Sequence, residues 1–323
     1  MFSFIFGGTN DWGIVNRFIN VAVYVGISFQ PYLHIRNLEL PHLATKLTDV
    51  WFIEAEELLD AARVSAPNVR WVGGLTAQPP APLPEKLNKF VESASAGFLL
   101  VAFGSKLSNL GKSINEKMVK VFGKLNRKVI WKVRSGYEGI DNLPDNVMPL
   151  SWVPQNDLLG HVNCRAVLLH CGNNGMYEAL YHGVPMIGNP AIGDQPFNCK
   201  RLKNKGFGLT IDVRTDDVDK IYNTIKEVID NPIYHRNIEK ASAIRKSRMV
   251  SPVDEIVHTM ELMMTYGTKH LKFPPSDLNI FQVILLDVLF VVAFIVICLI
   301  FIVKFFCKRL CCKNSKMMKL KKK

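Results

Sequence analysis

Residues 152–195 read WVPQNDLLGHVNCRAVLLHCGNNGMYEALYHGVPMIGNPAIGDQ. An aromatic and an amide, Trp152 and Gln155, open the stretch. A buried-strand run, AVLLH, ends in His170. A glycine-containing turn, Cys171-Gly172-Asn173-Asn174-Gly175, opens a helix that carries Glu178, and Asp194-Gln195 stands where another helix starts. A strand followed by such a turn and a helix gathers free backbone N–H groups and the positive end of the helix dipole at one point. In open α/β sheets that point lies outside the carboxyl ends of the strands, where ligands bind.

The polar groups suit a nucleotide carrying a diphosphate and a sugar. Trp152 can stack on a base, and Gln155 can read its edge with one donor and one acceptor. His170 can donate to a phosphate oxygen. Asn174 and Glu178 are four apart and share a helix face, where a carboxylate accepts from both ribose hydroxyls. Asp194 and Gln195 offer acceptors and a donor to sugar hydroxyls. Each residue also has a structural alternative: a core tryptophan, a histidine that merely ends a strand, an Asn-Gly turn, an aspartate N-cap. Their fixed order within one stretch favours the ligand.

The stretch resembles the signature of the UDP-glucuronosyltransferases and related UDP-glycosyltransferases, W-x-P-Q-N-D-L-L-x-H, then T-H-G-G-x-N-G-x-x-E-A, then G-x-P-x-x-x-x-P-x-x-x-D-Q. The resemblance implies uracil contacts at Trp152 and Gln155, and diphosphate contacts at His170, Gly172 and Asn174. It implies ribose contact at Glu178 and donor-sugar contact at Asp194 and Gln195. Ser105, ending the strand GFLLVAFGS, is either a further phosphate contact or a loop serine. Lys132 matches a basic position of the family and is expected to support the edge of the uracil pocket. Two positions depart from the pattern. Leu169 replaces a hydroxyl residue, and Cys171 replaces a glycine, which is expected to bring a side chain close to the phosphate.

Around this stretch, strands and helices alternate. Strands are expected at 97–105, 129–133, 147–150, 166–170 and 185–189. Helices are expected at about 114–126, 154–162, 173–182, 194–205, 215–230, 232–248 and 252–266. That alternation implies a doubly wound parallel α/β sheet. With the resemblance it implies the Rossmann-like C-terminal domain of a GT-B glycosyltransferase fold, followed by one transmembrane helix. The expected domains are a remnant of an N-terminal acceptor domain at 1–75, with strands at 47–55 and 68–75, then a Pro-rich linker at 76–96. The UDP-sugar-binding domain follows at 97–270, a membrane helix at 279–303 and a basic tail at 304–323. KFPPSD at 272–277 breaks the chain before the membrane. A nicotinamide dehydrogenase is disfavoured, because FLLVAFGS is not followed by GxGxxG.

The net charge of +12 is local: residues 304–323 hold nine Lys or Arg and no acid, leaving +3 for the rest. That is not a nucleic-acid footprint. Residues 281–303, FQVILLDVLFVVAFIVICLIFIV, are long enough to span a bilayer, with Asp287 near the start where its charge reaches the interface. The positive-inside rule puts the lysine-rich end in the cytoplasm and the globular part in the lumen. The terminal KLKKK resembles a dilysine retrieval signal, pointing to the endoplasmic reticulum, or is simply a basic stop-transfer tail. Cys307, Cys311 and Cys312 flank the span as palmitoylation candidates. Within the globular part, Cys164, Cys171 and Cys199 lack CxxC spacing, which argues against a zinc site and against a disulfide framework. No metal and no cofactor is expected, the UDP-sugar being a co-substrate.

The resemblance implies inverting transfer of a hexose or glucuronate to a small lipophilic acceptor, with a histidine base in the acceptor domain. No motif marks that base; His34 and His42 are not assigned to it. MFSFIFGG is too short for a secretory signal and lacks a basic start. The expectation is a piece of a longer chain, a truncated product, or a protein inserted by its C-terminal helix. The function expected is a membrane UDP-glycosyltransferase, with homo- or hetero-oligomers with other transferases among its expected partners; the alternative is a non-catalytic donor-domain partner of full-length transferases.

Overall fold

The structure is a computed structural model. It describes residues 48–60, 65, 67–104, 111–133, 139–140, 142–271 and 286–320, without the side chains of residues 287 and 306–320. Ser105, His34, His42, residues 1–47, the break at 272–277, the start of the expected span and the last three lysines lie outside the described residues. So do the side chains of Asp287, Cys307, Cys311 and Cys312. The chain forms two compact units, Met1–Ser65 with Val69–Gly267, and Ala66–Asn68 with Thr268–Lys323, taken over their described residues.

The first unit is built on a six-stranded, wholly parallel sheet. Its strands are β3 (Phe98–Ala102), β4 (Lys128–Lys132), β5 (Val147–Leu150), β6 (Cys164–Leu169), β7 (Met186–Gly188) and β8 (Gly208–Thr210), in the order β5-β4-β3-β6-β7-β8. The chain therefore winds outward in one direction from β3 and then in the other from β6, the doubly wound plan expected from the alternation. A smaller parallel pair, β1 (Trp51–Ile53) and β2 (Val69–Trp71), precedes it.

Burial on both faces explains why the strands read as unbroken apolar runs. In β3, all five residues are buried. Phe98 and Leu100 face one core with Ile130, Val167 and Leu169. Leu99 and Val101 face the other with Val129, Trp131, Ala166 and Leu168. The first core is closed by α1 (Glu85–Glu92), α3 (Gln155–Leu159), α4 (Asn173–His182), α5 (Gln195–Asn204) and α7 (Pro232–Lys246). The second is closed by α2 (Lys112–Lys124) and α6 (Val218–Asp230), through Met118, Val121 and Phe122 of α2 and Ile221, Ile225 and Val228 of α6. The last helix of this unit is α8 (Pro252–Tyr266), capped by the Ser251 hydroxyl accepting from the Asp254 N–H.

Four elements differ from the sequence expectation. Residues 85–92 are a helix inside the expected linker; Leu87 and Val91, four apart, bury the stripe that holds it to the core. β8 is an unforeseen edge strand of three residues that pairs with β7. The strands expected at 47–55 and 68–75 pair over only three residues each.

A buried ionic cluster fastens the chain after β1 to the doubly wound sheet. Glu56, 1% exposed, meets Arg245 Nε at 2.7 Å and Arg248 Nη2 at 3.3 Å. Arg245 also donates to the Gly73 carbonyl at 3.0 Å. Asp60 pairs with Arg201 of α5 and accepts from the Tyr177 hydroxyl of α4 at 2.9 Å. Burial pushes the Glu56 carboxyl above its usual range, opposed by the two arginines, and pulls Arg201 down to about 10.

The second unit contains α9 (Leu286–Leu320), whose Val288–Phe305 segment has mean hydropathy 3.2. By length and composition it is able to cross a membrane.

The Glu56–Arg245 pair has a stability consequence. Arg245→Met leaves the buried Glu56 carboxylate with the longer Arg248 contact as its remaining ion pair among the described residues, and is expected to lower the unfolding free energy by about 3 kcal/mol. Adding Glu56→Leu removes that carboxylate and is expected to recover most of that loss. Urea titration of the full chain in detergent, followed by tryptophan fluorescence, checks both; equal losses in the single and double variants would count against the cluster as described.

Candidate active site

The strand order reverses between β3 and β6; among the candidate residues His170, Gly172, Asn174 and Glu178 follow β6, Trp152 and Gln155 follow β5, and Asp194 and Gln195 follow β7, all after carboxyl ends of the parallel sheet. Ala102 pairs with Leu169 as the last step of the ladder. The chains then diverge, Phe103-Gly104 on one side and His170 on the other. The divergence leaves a crevice at the switch point.

His170 fills that crevice because two glycines make room for it. Gly104 has φ +76°, and a Cβ there would stand 2.8 Å from His170 Cε1. A Cβ on Gly172 would stand 2.5 Å from His170 Nε2. The ring thus lies against the residue that opens α4, a helix start that no side chain caps. Nδ1 is buried with no hydrogen-bond partner of good geometry among the described residues, although the Ala102 backbone beside it favours its protonated form. Burial holds the imidazole below the ordinary histidine range; Ala102 and Asp194 pull it back up, and Lys132 pushes it down. A ring that stays neutral near pH 7 offers one N–H to an anion without bringing a charge of its own.

Glu178 lies one turn into α4 and is only 9% exposed. Its Oε2 accepts from Gln155 Nε2 at 2.7 Å, so the residues expected at the base and at the ribose are bonded directly to each other. The Thr76 side chain also hydrogen-bonds this carboxylate. Burial raises the Glu178 carboxyl above its usual range, and the Gln155 and Thr76 bonds oppose the shift. Lys132, half-buried at the end of β4, acts electrostatically on both Glu178 and His170. The linker is strapped to α3 beside Gln155: the Gln78 N–H donates to Asn156 Oδ1 at 3.2 Å and the Ala81 N–H to Asp157 Oδ1 at 2.9 Å.

Trp152 is 68% exposed between β5 and α3, which removes the core alternative and leaves its ring free as a platform. Asn174 is exposed in the first turn of α4. Asp194 makes no capping bond to α5; its Oδ2 accepts from Asn198 Nδ2 at 2.7 Å. Gln195 is largely committed to the loop before it, its Oε1 accepting from the Ala191 and Ile192 N–H groups at 2.9 and 3.0 Å. Only its Nε2 is left to face a ligand. Asn198 went unnoticed in the sequence. It joins Asp194 to the phosphate turn by donating also to the Cys171 carbonyl at 3.0 Å, and its i, i+4 spacing from Asp194 was the available signal.

Two expectations about cysteine are corrected. Cys171 and Cys199 form a disulfide across 28 residues of sequence. The Cys171 side chain is fully buried and turned away from the crevice, against Gly188 of β7. The left-handed backbone of Cys171, φ 58°, swings its Cβ inward and leaves the turn's outer face to the backbone. Cysteine spacing alone carries no sign of a pairing between a strand end and a helix on the neighbouring strand.

Electrostatics give this site a direct check. Asp194 favours the His170 imidazolium, so Asp194→Asn is expected to lower the His170 pKa further below the ordinary histidine value. Imidazole NMR titration of the full chain, with His170→Gln to assign the signal, measures the shift; a rise would contradict the placement of Asp194.

The sequence matches the family described as UDP-glucoronosyl and UDP-glucosyl transferase over residues 28–323. It is 36% identical over 269 residues to UDP-glucuronosyltransferase 2C1 of Oryctolagus cuniculus, covering 81% of this chain and 53% of that protein. It is also 36% identical over 246 residues to the 2-hydroxyacylsphingosine 1-beta-galactosyltransferase of Mus musculus, covering 76% of this chain and 45% of that protein. The chain thus spans about half the length of the curated relatives it matches. Among solved structures it is similar to the spinosyn forosaminyltransferase SpnP, at TM-score 0.54 and 20% identity, covering 66% of this chain and 54% of that one. It is also similar to the glycotransferase of kitacinnamycin, at TM-score 0.53 and 22% identity, covering 66% and 55%. These likenesses show a GT-B type of fold.

Proposed function

Since the chain belongs to the UDP-glucoronosyl and UDP-glucosyl transferase family, we propose that its switch-point crevice is the UDP-sugar site of a membrane-anchored, glucuronosyltransferase-like enzyme. The reaction moves a hexose or glucuronate from the UDP-sugar to a small lipophilic acceptor. The observation that carries this reading is the convergence of the Gln155–Glu178 pair and the glycine-flanked His170 on one uncapped helix start.

In this reading Trp152 stacks on the uracil and Gln155 reads its edge. Gln155 and Thr76 hold the Glu178 carboxylate in place, and its remaining lone pairs accept from the ribose hydroxyls. His170, Gly172 and Asn174 surround the diphosphate at the α4 N-terminus. Asp194 and the Gln195 amide nitrogen face the donor sugar. The transfer is a displacement with inversion: the acceptor oxygen loses its proton to a base and attacks the anomeric carbon. The bond from that carbon to the diphosphate breaks, and UDP departs with the electron pair. This chain's part is electrostatic, since the helix start and a neutral His170 donor favour the negative charge that grows on the departing diphosphate. The base belongs to the acceptor-binding part, of which residues 1–75 form one portion in this reading. Residues 97–270 are then the donor domain.

In this reading the span in α9, with basic residues after it, supports a luminal globular part and a cytoplasmic tail. A disulfide in the globular part supports an oxidising compartment, and KLKKK supports the endoplasmic reticulum. Oligomers with other transferases belong to the same proposal.

Calorimetric UDP titration of the full chain in detergent tests the site. Glu178→Ala removes a charge-assisted acceptor and is expected to weaken UDP binding by about 10- to 100-fold, and Trp152→Ala by a comparable factor through lost stacking. Release of UDP from membranes holding the chain, offered UDP-glucuronate or UDP-glucose with a panel of phenols, reads transfer. UDP affinity that is indifferent to both substitutions would overturn the assignment of this crevice.

A further inference from the structure

We propose that the Cys171–Cys199 disulfide is a positioning clamp for nucleotide binding, holding the phosphate turn in the one backbone conformation that presents it to a diphosphate; the inference rests on the UDP-sugar reading of the crevice. Cys171 is the non-glycine residue with positive φ, 58°, among the described residues. It stands between His170 and Gly172, the two residues that meet at the start of α4. Side chains adopt the left-handed region reluctantly, and glycine is the residue that occupies it freely. A cysteine that persists there is held by its surroundings.

The hold comes from α5. Cys199, 2% exposed, takes the Cys171 sulfur from below. One residue earlier, Asn198 donates both to the Cys171 carbonyl and to Asp194 Oδ2. Gly188 completes the arrangement, because a Cβ there would stand 2.5 Å from each sulfur. The consequence is a rigid link between the turn at the diphosphate and the helix that begins at Asp194 and Gln195. Both sulfurs are buried, so the bond serves as a fixed brace.

Removing the brace separates positioning from plain stabilisation. Cys199→Ala and Cys171→Ser leave a side chain in the left-handed turn without its covalent tie, held only by the Asn198 bond to the carbonyl of residue 171, and each is expected to raise the UDP Kd about fivefold or more. The double variant Cys171→Gly with Cys199→Ala also lacks the disulfide, yet its glycine adopts the turn freely. Its Kd is expected within about twofold of the parent, while its Tm falls with those of the other two. A fall in Tm in all three variants with Kd unmoved would overturn the clamp and leave a structural cross-link. Free thiols at 171 and 199 in non-reducing peptide maps of the parent would overturn it as well. Should the parent itself fail to bind UDP, the reading of the crevice fails, and the clamp is judged by amide hydrogen exchange at residues 171–175. Faster exchange in Cys199→Ala than in the parent supports it, and equal rates refute it.

Discussion

The pairing of β3 with β6 is the constraint on which the rest depends. These two strands are adjacent in the sheet and 66 residues apart from Phe98 to Cys164. Everything between them, β4, β5, α2 and α3, must leave on one side and return, while everything after β6 goes to the other. Parallel pairing sends both carboxyl ends to the same edge. The chains then part, and the gap between them is wide enough for an imidazole only because Gly104 and Gly172 have no side chains. The crevice follows from the sheet's topology, and the two glycines give it its shape.

The polar groups around that crevice are held by one another as much as by the core. Glu178 is buried, and an unpartnered carboxylate there would be costly; Gln155 and Thr76 supply its partners. One of these lies on α3 and the other just before the Pro-rich stretch, so that stretch, α3 and α4 are tied together around Glu178. The same logic extends through Asp60, which binds Tyr177 of α4 and Arg201 of α5 at once. Glu56 then ties that segment to α7 through Arg245. Such pairs contribute modest net stability against apolar replacements. Their effect is to fix which surfaces meet.

The doubly wound sheet was legible because strands buried on both faces read as continuous apolar runs and helices read as 3.6-residue periods. β6, α4 and β7 sit within two residues of their expected bounds. β8 was not legible: three residues, one of them Gly208, give no period to detect. The helix at 85–92 was hidden by the prolines before it, although Leu87 and Val91 carry a stripe. At the site, the order of Trp152, Gln155, His170, Glu178 and Asp194 was readable as a series of ligand groups. What sequence cannot supply is the distance between distant residues. The Gln155–Glu178 bond joins positions 23 apart, Glu56–Arg245 joins positions 189 apart, and the disulfide joins 28.

α5 shows how these distant ties add up. Its first turn is fastened to the loop before it through Gln195. Its middle is fastened to the phosphate turn through Asn198 and Cys199, and its second half to Asp60 through Arg201. A helix held at three levels to three different elements cannot swing as a lid. Asp194, which opens it, is tied through Asn198 to the same turn that follows His170. Such ties suit the electrostatic role proposed for this site, because dipoles and donors already in place need no reorganisation when charge develops. The ties around the switch point and a His170 ring whose burial disfavours its charged form agree with the proposed reading, in which an anion is received by fixed dipoles and N–H groups.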